Sequence, residues 1–136
     1  MSEATDGLTA GTLIDGARMY AAAADAVNDV YPNALHVLNH LLGMSIELAL
    51  KAYLRHAGCT EAELKSAGHD LAALYYWAQE FGLAHTGSRD YVLNVLGRNY
   101  EERLFAYPRE AMLVVIMPWR LRQMAQELIE IAFGNI

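Results

Sequence analysis

Residues 44–58 read MSIELALKAYLRHAG, an apolar stretch that carries the charged residues Glu47 and Lys51 in its middle. On a helix, the apolar side chains of this region occupy much of the circumference, which is typical of a helix at the centre of a bundle. Proline can open such a helix and glycine commonly ends one. The stretch therefore predicts a central helix over about residues 32–57 that stops at Gly58.

Helical spacing recurs along the rest of the chain, and no sustained alternation of apolar and polar residues predicts a strand. Before the central helix, the capping pair Thr12 and Asp15 predicts a helix to about Asn28. After it, the capping box Thr60 and Glu63 predicts a short turn of helix. Three further helices are predicted, from His69 or Asp70 to Phe81, from Ser88 to about Leu104, and a last one from Pro108. Pro118 lies inside the last helix and predicts a kink or a break there.

The length of 136 residues suits one domain. The acidic, polar start predicts a flexible tail over residues 1–11, followed by a single helical domain over residues 12–136. The fold class predicted is all-α, an up-and-down bundle of about five helices.

Composition bears on the oligomeric state of the protein and on its cellular compartment. Hydrophobic residues make up 54% of the chain, a surplus that predicts a subunit interface and hence a homodimer. Cys59 is the only cysteine, which excludes an intrachain disulfide and fits a reducing cytoplasm. The apolar run over residues 111–119 is too short to cross a bilayer, and the N-terminus does not resemble a signal peptide. We expect a soluble, cytoplasmic protein with no membrane partner.

The net charge of −6 disfavours non-specific binding to nucleic acid, but the charge is unevenly spread. Residues 1–80 hold ten acidic and four basic residues, a net charge of −6. Residues 89–122 hold six arginines against four acidic residues, a net charge of +2. This distribution is compatible with a local basic patch, and an ordinary mixed surface is the alternative that we favour.

A polar stripe follows one side of the predicted central helix. Its members, separated by four or seven residues, are His36, His40, Glu47, Lys51 and Arg55. The stripe either faces water or lines a cleft or interface together with His69 and Asp70. His36 and His40 also have the spacing of a metal-binding pair, but the chain has no His-Glu-x-x-His motif, and we predict neither a metal nor a cofactor.

Three segments resemble the HEPN (higher eukaryote and prokaryote nucleotide-binding) family. They are LLGMSIELALKAYLRHAG at 41–58, GHDLAALYYWAQEFGL at 68–83 and RNYEERLFAYPRE at 98–110. Their order is similar to the family's: Glu-x-x-x-Lys on a long central helix, Gly-His-x-Leu opening the next, and an Arg/Tyr-Pro segment before the last. The resemblance spans most of residues 13–132.

This resemblance implies a helical bundle that commonly dimerises. Many members are ribonucleases, often in toxin–antitoxin or defence systems, whereas others are inactive or act as partners of nucleotidyltransferase domains. Active members carry an arginine followed, after four to six residues, by a histidine. Neither Arg18 nor Arg55 has a histidine at that spacing, and every later arginine follows the last histidine, His85. We therefore do not expect the ribonuclease activity or any catalytic residue.

The resemblance also implies two groups of site residues. Glu47, Lys51 and His69 are expected to meet, either as a polar clip that fixes the bundle's register or, with Asp70, as the border of a ligand cleft. A second group either forms a phosphate-binding patch with stacking surfaces or is a solvated face: Arg98, Tyr100, Arg103, Tyr107 and Arg109.

The function predicted from the sequence is a non-catalytic HEPN-like module that acts through homodimerisation or binding of a protein partner, with a toxin–antitoxin or defence setting as the context. The alternative is a divergent RNA-acting nuclease, or a bundle that binds a nucleotide or small anion, using the Arg/Tyr patch together with His69.

Overall fold

The computed structural model describes residues 9–84, 86–101 and 117–134, with the backbone alone at 88, 95 and 97–101. All regular structure in these ranges is helical, which confirms the all-α bundle. The helices are α1 (Ala10–Val30), α2 (Leu35–His56), α3 (Glu61–Ala67), α4 (Leu71–Glu80), α5 (Gly87–Glu101) and α6 (Pro118–Gly134). None of these helices has the length and apolar character needed to cross a bilayer.

Helix α2 is the centre of the bundle, because it contacts each of the five other helices. A row of large side chains at every fourth position of α2 is almost completely buried: Leu38, Leu42, Ile46, Leu50 and Leu54. Burial of such side chains supplies most of the driving force for packing helices together. The central position predicted for this helix is therefore confirmed.

Helix α1 packs closely on α2 because the residues at the contact are small. Its buried face includes Ala17, Ala21 and Ala24. Ser45 of α2 donates a hydrogen bond from Oγ to the carbonyl oxygen of Ala17 at 2.7 Å. A Cβ atom added at Gly16 would lie only 3.0 Å from Cδ1 of Leu48. The two backbones thus approach each other more closely than larger side chains would permit.

The capping residues set where the first helices begin. Thr9, rather than Thr12, caps α1, because its Oγ1 accepts a hydrogen bond from the Thr12 backbone N–H at 3.0 Å. Residues 10 and 11 of the predicted tail therefore belong to α1, which continues to Val30, and the tail up to residue 8 lies outside the described residues. The capping box of Thr60 and Glu63 is confirmed and opens α3, which accounts for the sixth helix.

Pro118 marks a helix boundary, which agrees with the break predicted there. Met117 lies outside the helix, and Pro118 occupies the first position of α6, where its missing N–H costs no helical hydrogen bond. The predicted helix start at Pro108 lies outside the described residues. Pro32 does not open α2, contrary to the prediction. The Ala34 N–H donates to the Tyr31 carbonyl and closes a turn after Pro32, so α2 begins only at Leu35.

Gly58 ends α2 with a positive φ of 113°, and a Cβ atom at this position would meet no heavy atom within 4 Å. Replacement by alanine therefore tests backbone strain alone. We expect Gly58→Ala to lower the free energy of unfolding by about 1–2 kcal/mol in urea titrations. Gly87→Ala is the matched control, because Gly87 lies in a helix and its Cβ would also meet open space. The control should leave stability unchanged or slightly higher, and equal losses in both variants would contradict the explanation.

Candidate functional site

Glu47 is a buried carboxylate in the middle of α2, with 2% of the residue exposed. Its Oε2 accepts a hydrogen bond from Nζ of Lys51 at 2.8 Å, and its Oε1 lies 2.8 Å from Nδ1 of His69. Both carboxylate oxygens are therefore engaged. We refer to Glu47, Lys51 and His69 as the Glu47 cluster.

The local fold explains why these three side chains meet. Lys51 lies one helical turn beyond Glu47 on α2, which places the two side chains on the same face. His69 comes from the turn between α3 and α4, where Gly68 adopts a positive φ of 61° and reverses the chain. Asp70 then caps α4, since its Oδ1 accepts a hydrogen bond from the Ala73 N–H at 3.0 Å. The turn thus presents His69 to α2, while the Asp70 carboxylate holds the start of α4.

The Glu47 cluster runs from the core to the surface. The side chain of Glu47 is 3% exposed, that of Lys51 is 12% exposed, and that of His69 is 46% exposed. A buried carboxylate needs charged or polar donors to offset its desolvation, and the ammonium and imidazole groups supply them. Because the cluster joins α2 to the α3–α4 turn, its geometry fits the predicted polar clip as well as the border of a small cleft.

The other members of the predicted stripe lie apart from this cluster. His36 is exposed near the start of α2, and His40 is half-buried one turn later. Arg55 donates from Nη1 to the carbonyl oxygen of Cys59 at 3.1 Å, near the end of α2. The described ranges contain no group of three or more His, Cys, Asp or Glu residues that could hold a metal ion.

The residues of the predicted Arg/Tyr patch lie at the end of α5 and beyond it. Arg98 and Tyr100 belong to the last part of α5, of which the structure describes the backbone alone. Arg103, Tyr107 and Arg109 lie outside the described residues. The patch therefore stays a prediction.

Arg89 is a site residue that the sequence analysis did not single out. Its guanidinium donates from Nη1 to the Ala84 carbonyl at 2.7 Å and from Nη2 to Oε1 of Glu127 at 3.3 Å. The second contact joins the start of α5 to α6. The sequence did hold a signal, because an arginine in the first turn of a helix opposes the helix dipole and calls for a compensating partner.

An open cleft of about 950 Å³ lies between the end of α1, the start of α2 and the start of α6. Its apolar lining comes from Leu35, Leu38, Leu42, Met117, Pro118 and Trp119. Its polar lining includes Asp25, Asn28, Arg122, Gln126 and Glu130. We call this feature the apolar cleft.

Cys59 is buried, and burial raises the pKa of its thiol above the ordinary value, with a further contribution from the nearby Glu63 carboxylate. Since the thiolate is the nucleophilic form, this environment suppresses thiol reactivity at neutral pH. The geometry agrees with a packing role for Cys59 under the end of α2.

No protein-family model, curated protein or solved structure matches this chain. The resemblance to the HEPN family therefore stays a prediction that depends on the quoted motifs.

The buried pair Glu47–Lys51 and the exposed pair Glu61–Lys65 share the same spacing and orientation on a helix. We expect Glu47→Gln to lower the free energy of unfolding by about 1–3 kcal/mol, because a buried amide in place of the carboxylate cannot satisfy both donors. The matched substitution Glu61→Gln should cost less than about 0.5 kcal/mol. Chemical denaturation of both variants checks this, and an unchanged midpoint for Glu47→Gln would rule out a structural clip.

Tyr75 of α4 is buried and donates a hydrogen bond from its hydroxyl to Oδ1 of Asp90 on α5 at 2.9 Å. Burial, together with this bond to a carboxylate, raises the pKa of Tyr75 to about 12. In the unfolded chain the Tyr75 hydroxyl ionises near its ordinary pKa of 10.0, whereas in the native state it stays protonated until the pH approaches 12. Its contribution to stability is therefore present below pH 10 and is lost as the pH rises toward 12. Urea denaturation across this range should show a steeper fall for the natural chain than for Tyr75→Phe, and parallel curves would contradict the assignment.

Proposed function

We propose that this protein is a helical interaction module that forms a homodimer through the apolar cleft. The observation that carries the proposal is that two large apolar side chains at this cleft are exposed. Met117 is 53% exposed and Trp119 is 64% exposed at its α6 wall. Apolar patches of this kind on a folded surface commonly mark interaction sites.

The patch extends beyond the cleft itself. Val30 and Tyr31 are both about two-thirds exposed and stand in the sequence between the cleft residues Asn28 and Pro32. Tyrosine, tryptophan and methionine are enriched in the contact surfaces of proteins, where tryptophan and tyrosine often dominate the binding energy. The end of α1 and the start of α6 therefore offer suitable anchor residues on either side of a groove.

A second copy of the chain is the occupant that fits these features best. A two-fold interface uses the same patch on both subunits, so it needs a recess and a protruding group in one place. The apolar cleft supplies the recess, and Trp119 supplies the protruding group. The surplus of apolar residues in the sequence and the dimers common in the HEPN family, which this sequence resembles, support the same proposal.

Charge at the rim of the cleft does not oppose this association. Asp25 accepts two hydrogen bonds from Arg122 of α6, from Nε at 2.9 Å and from Nη2 at 3.2 Å. A bidentate pair of this kind neutralises the carboxylate within its own subunit. Two negatively charged chains can therefore approach each other at this surface without placing unpaired Asp25 carboxylates together.

Light scattering coupled to size exclusion tests the proposal over a range of protein concentrations. We expect the natural chain to have twice the monomer mass and Trp119→Glu to be a monomer, because the substitution places a charge at the apolar contact. Glutamate at the second position of a helix is favourable, so the fold of the variant should be retained.

Tyr76→Glu is the matched control, since Tyr76 is 68% exposed on α4 and does not line the cleft. This variant should stay dimeric. A monomeric natural chain, or a Trp119→Glu variant that remains a dimer, would refute the proposed function.

A further inference from the structure

A second cavity of about 380 Å³ lies between the start of α5 and α6. Two guanidinium groups line it, those of Arg89 and Arg120, together with Thr86, Gln123 and the carboxylate of Glu127. Its volume falls within the usual range for small-molecule sites. The feature is independent of the dimer proposed above, although Gln123 and Glu127 also line the apolar cleft.

Arg89 carries a donor group that has no partner among the described residues. The side chain is 12% exposed, and its Nε atom is buried with no hydrogen-bond partner in the part of the chain that the structure describes. Buried polar groups in proteins are nearly always hydrogen-bonded, so an unpaired guanidinium N–H is a costly exception. Its other two nitrogens are already oriented by Ala84 and Glu127, which leaves the guanidinium fixed in place.

Arg120 is half-buried, and its guanidinium makes no hydrogen bond or ion pair within the described ranges. It occupies the third position of α6, as Arg89 occupies the third position of α5. A cation in the first turn of a helix adds to the positive end of the helix dipole, which is unfavourable unless an anion is nearby. Two such cations line the same cavity, and Glu127 pairs with Arg89 but not with Arg120 among the described contacts.

We propose that this cavity binds a phosphate group carried by a small molecule. Guanidinium groups match phosphate oxygens in geometry and charge, and helix N-termini add further favourable potential. The Thr86 hydroxyl and the Gln123 amide are additional polar groups in the lining. Glu127 lowers the net charge of the lining to +1, which limits binding but also holds Arg89 through Nη2. The cavity exceeds the size of one phosphate, so it has room for a small attached group.

Calorimetric titration of the full chain tests the site with two probes, inorganic phosphate and glycerol 3-phosphate, at matched ionic strength in chloride buffer. We expect saturable binding that Arg120→Gln weakens at least about tenfold, because a charge-assisted contact is lost. Glu127→Gln should tighten binding, since it removes a negative charge while its Oε1 can still accept from Arg89. Arg18→Gln makes the same change in net charge as Arg120→Gln at an exposed position on α1 and should have no effect.

The relative affinities of the two probes identify the source of the phosphate group. Tighter binding of glycerol 3-phosphate supports a phosphorylated small molecule, as proposed. Equal affinity assigns the site to the free anion and overturns the requirement for an attached group. Absence of saturable binding, or equal weakening by Arg120→Gln and Arg18→Gln, would overturn the site itself. Circular dichroism of each variant verifies that the fold is retained.

Discussion

Burial of the middle of α2, where no residue from Leu38 to Arg55 is exposed, is the constraint on which this structure depends. A helix in that position must satisfy its polar side chains within the protein, and the three buried polar residues of the described ranges all belong to it: Asn39, Ser45 and Glu47. Asn39 bonds to the Leu35 carbonyl of its own helix, Ser45 bonds to α1, and Glu47 bonds to His69 before α4. Two of these bonds also fix how neighbouring elements align with α2. The polar atoms of the core therefore define how the neighbouring elements align with α2, which apolar packing alone would not fix.

Helix α6 brings together the two surfaces that carry the functional proposals. Trp119 and Arg122 line the apolar cleft, whereas Arg120 lines the second cavity, between α5 and α6. The Arg89–Glu127 contact ties α5 to this helix. Because Pro118 sets the first turn of α6, the positions of Trp119 and Arg120 follow from where that proline begins the helix.

The sequence predicted the all-α fold, the central place of α2 and the residues of the Glu47 cluster, because these depend on helical spacing and on a short motif. Helix starts were less predictable, since Thr9 and Thr12 are chemically equivalent caps and their choice depends on tertiary packing. The prediction for Pro118 left a kink and a break open, because a proline that starts a helix and one that kinks it look alike in a continuous apolar stripe. Arg89 was missed because its neighbours, Ala84 and Glu127, are identified only by the folded chain.

The pairing of Asp25 with Arg122 joins α1 to α6 across 97 positions of the chain, whereas Ser45 and Ala17 join α2 to α1 across 28. Long-range contacts of the first kind slow folding, because their chain closure comes late. During translation at about 5–20 residues per second, α2 is complete several seconds before α6 has been made. For that period the face of α2 that α6 will cover stays exposed on the nascent chain, where it is open to chaperone capture or aggregation.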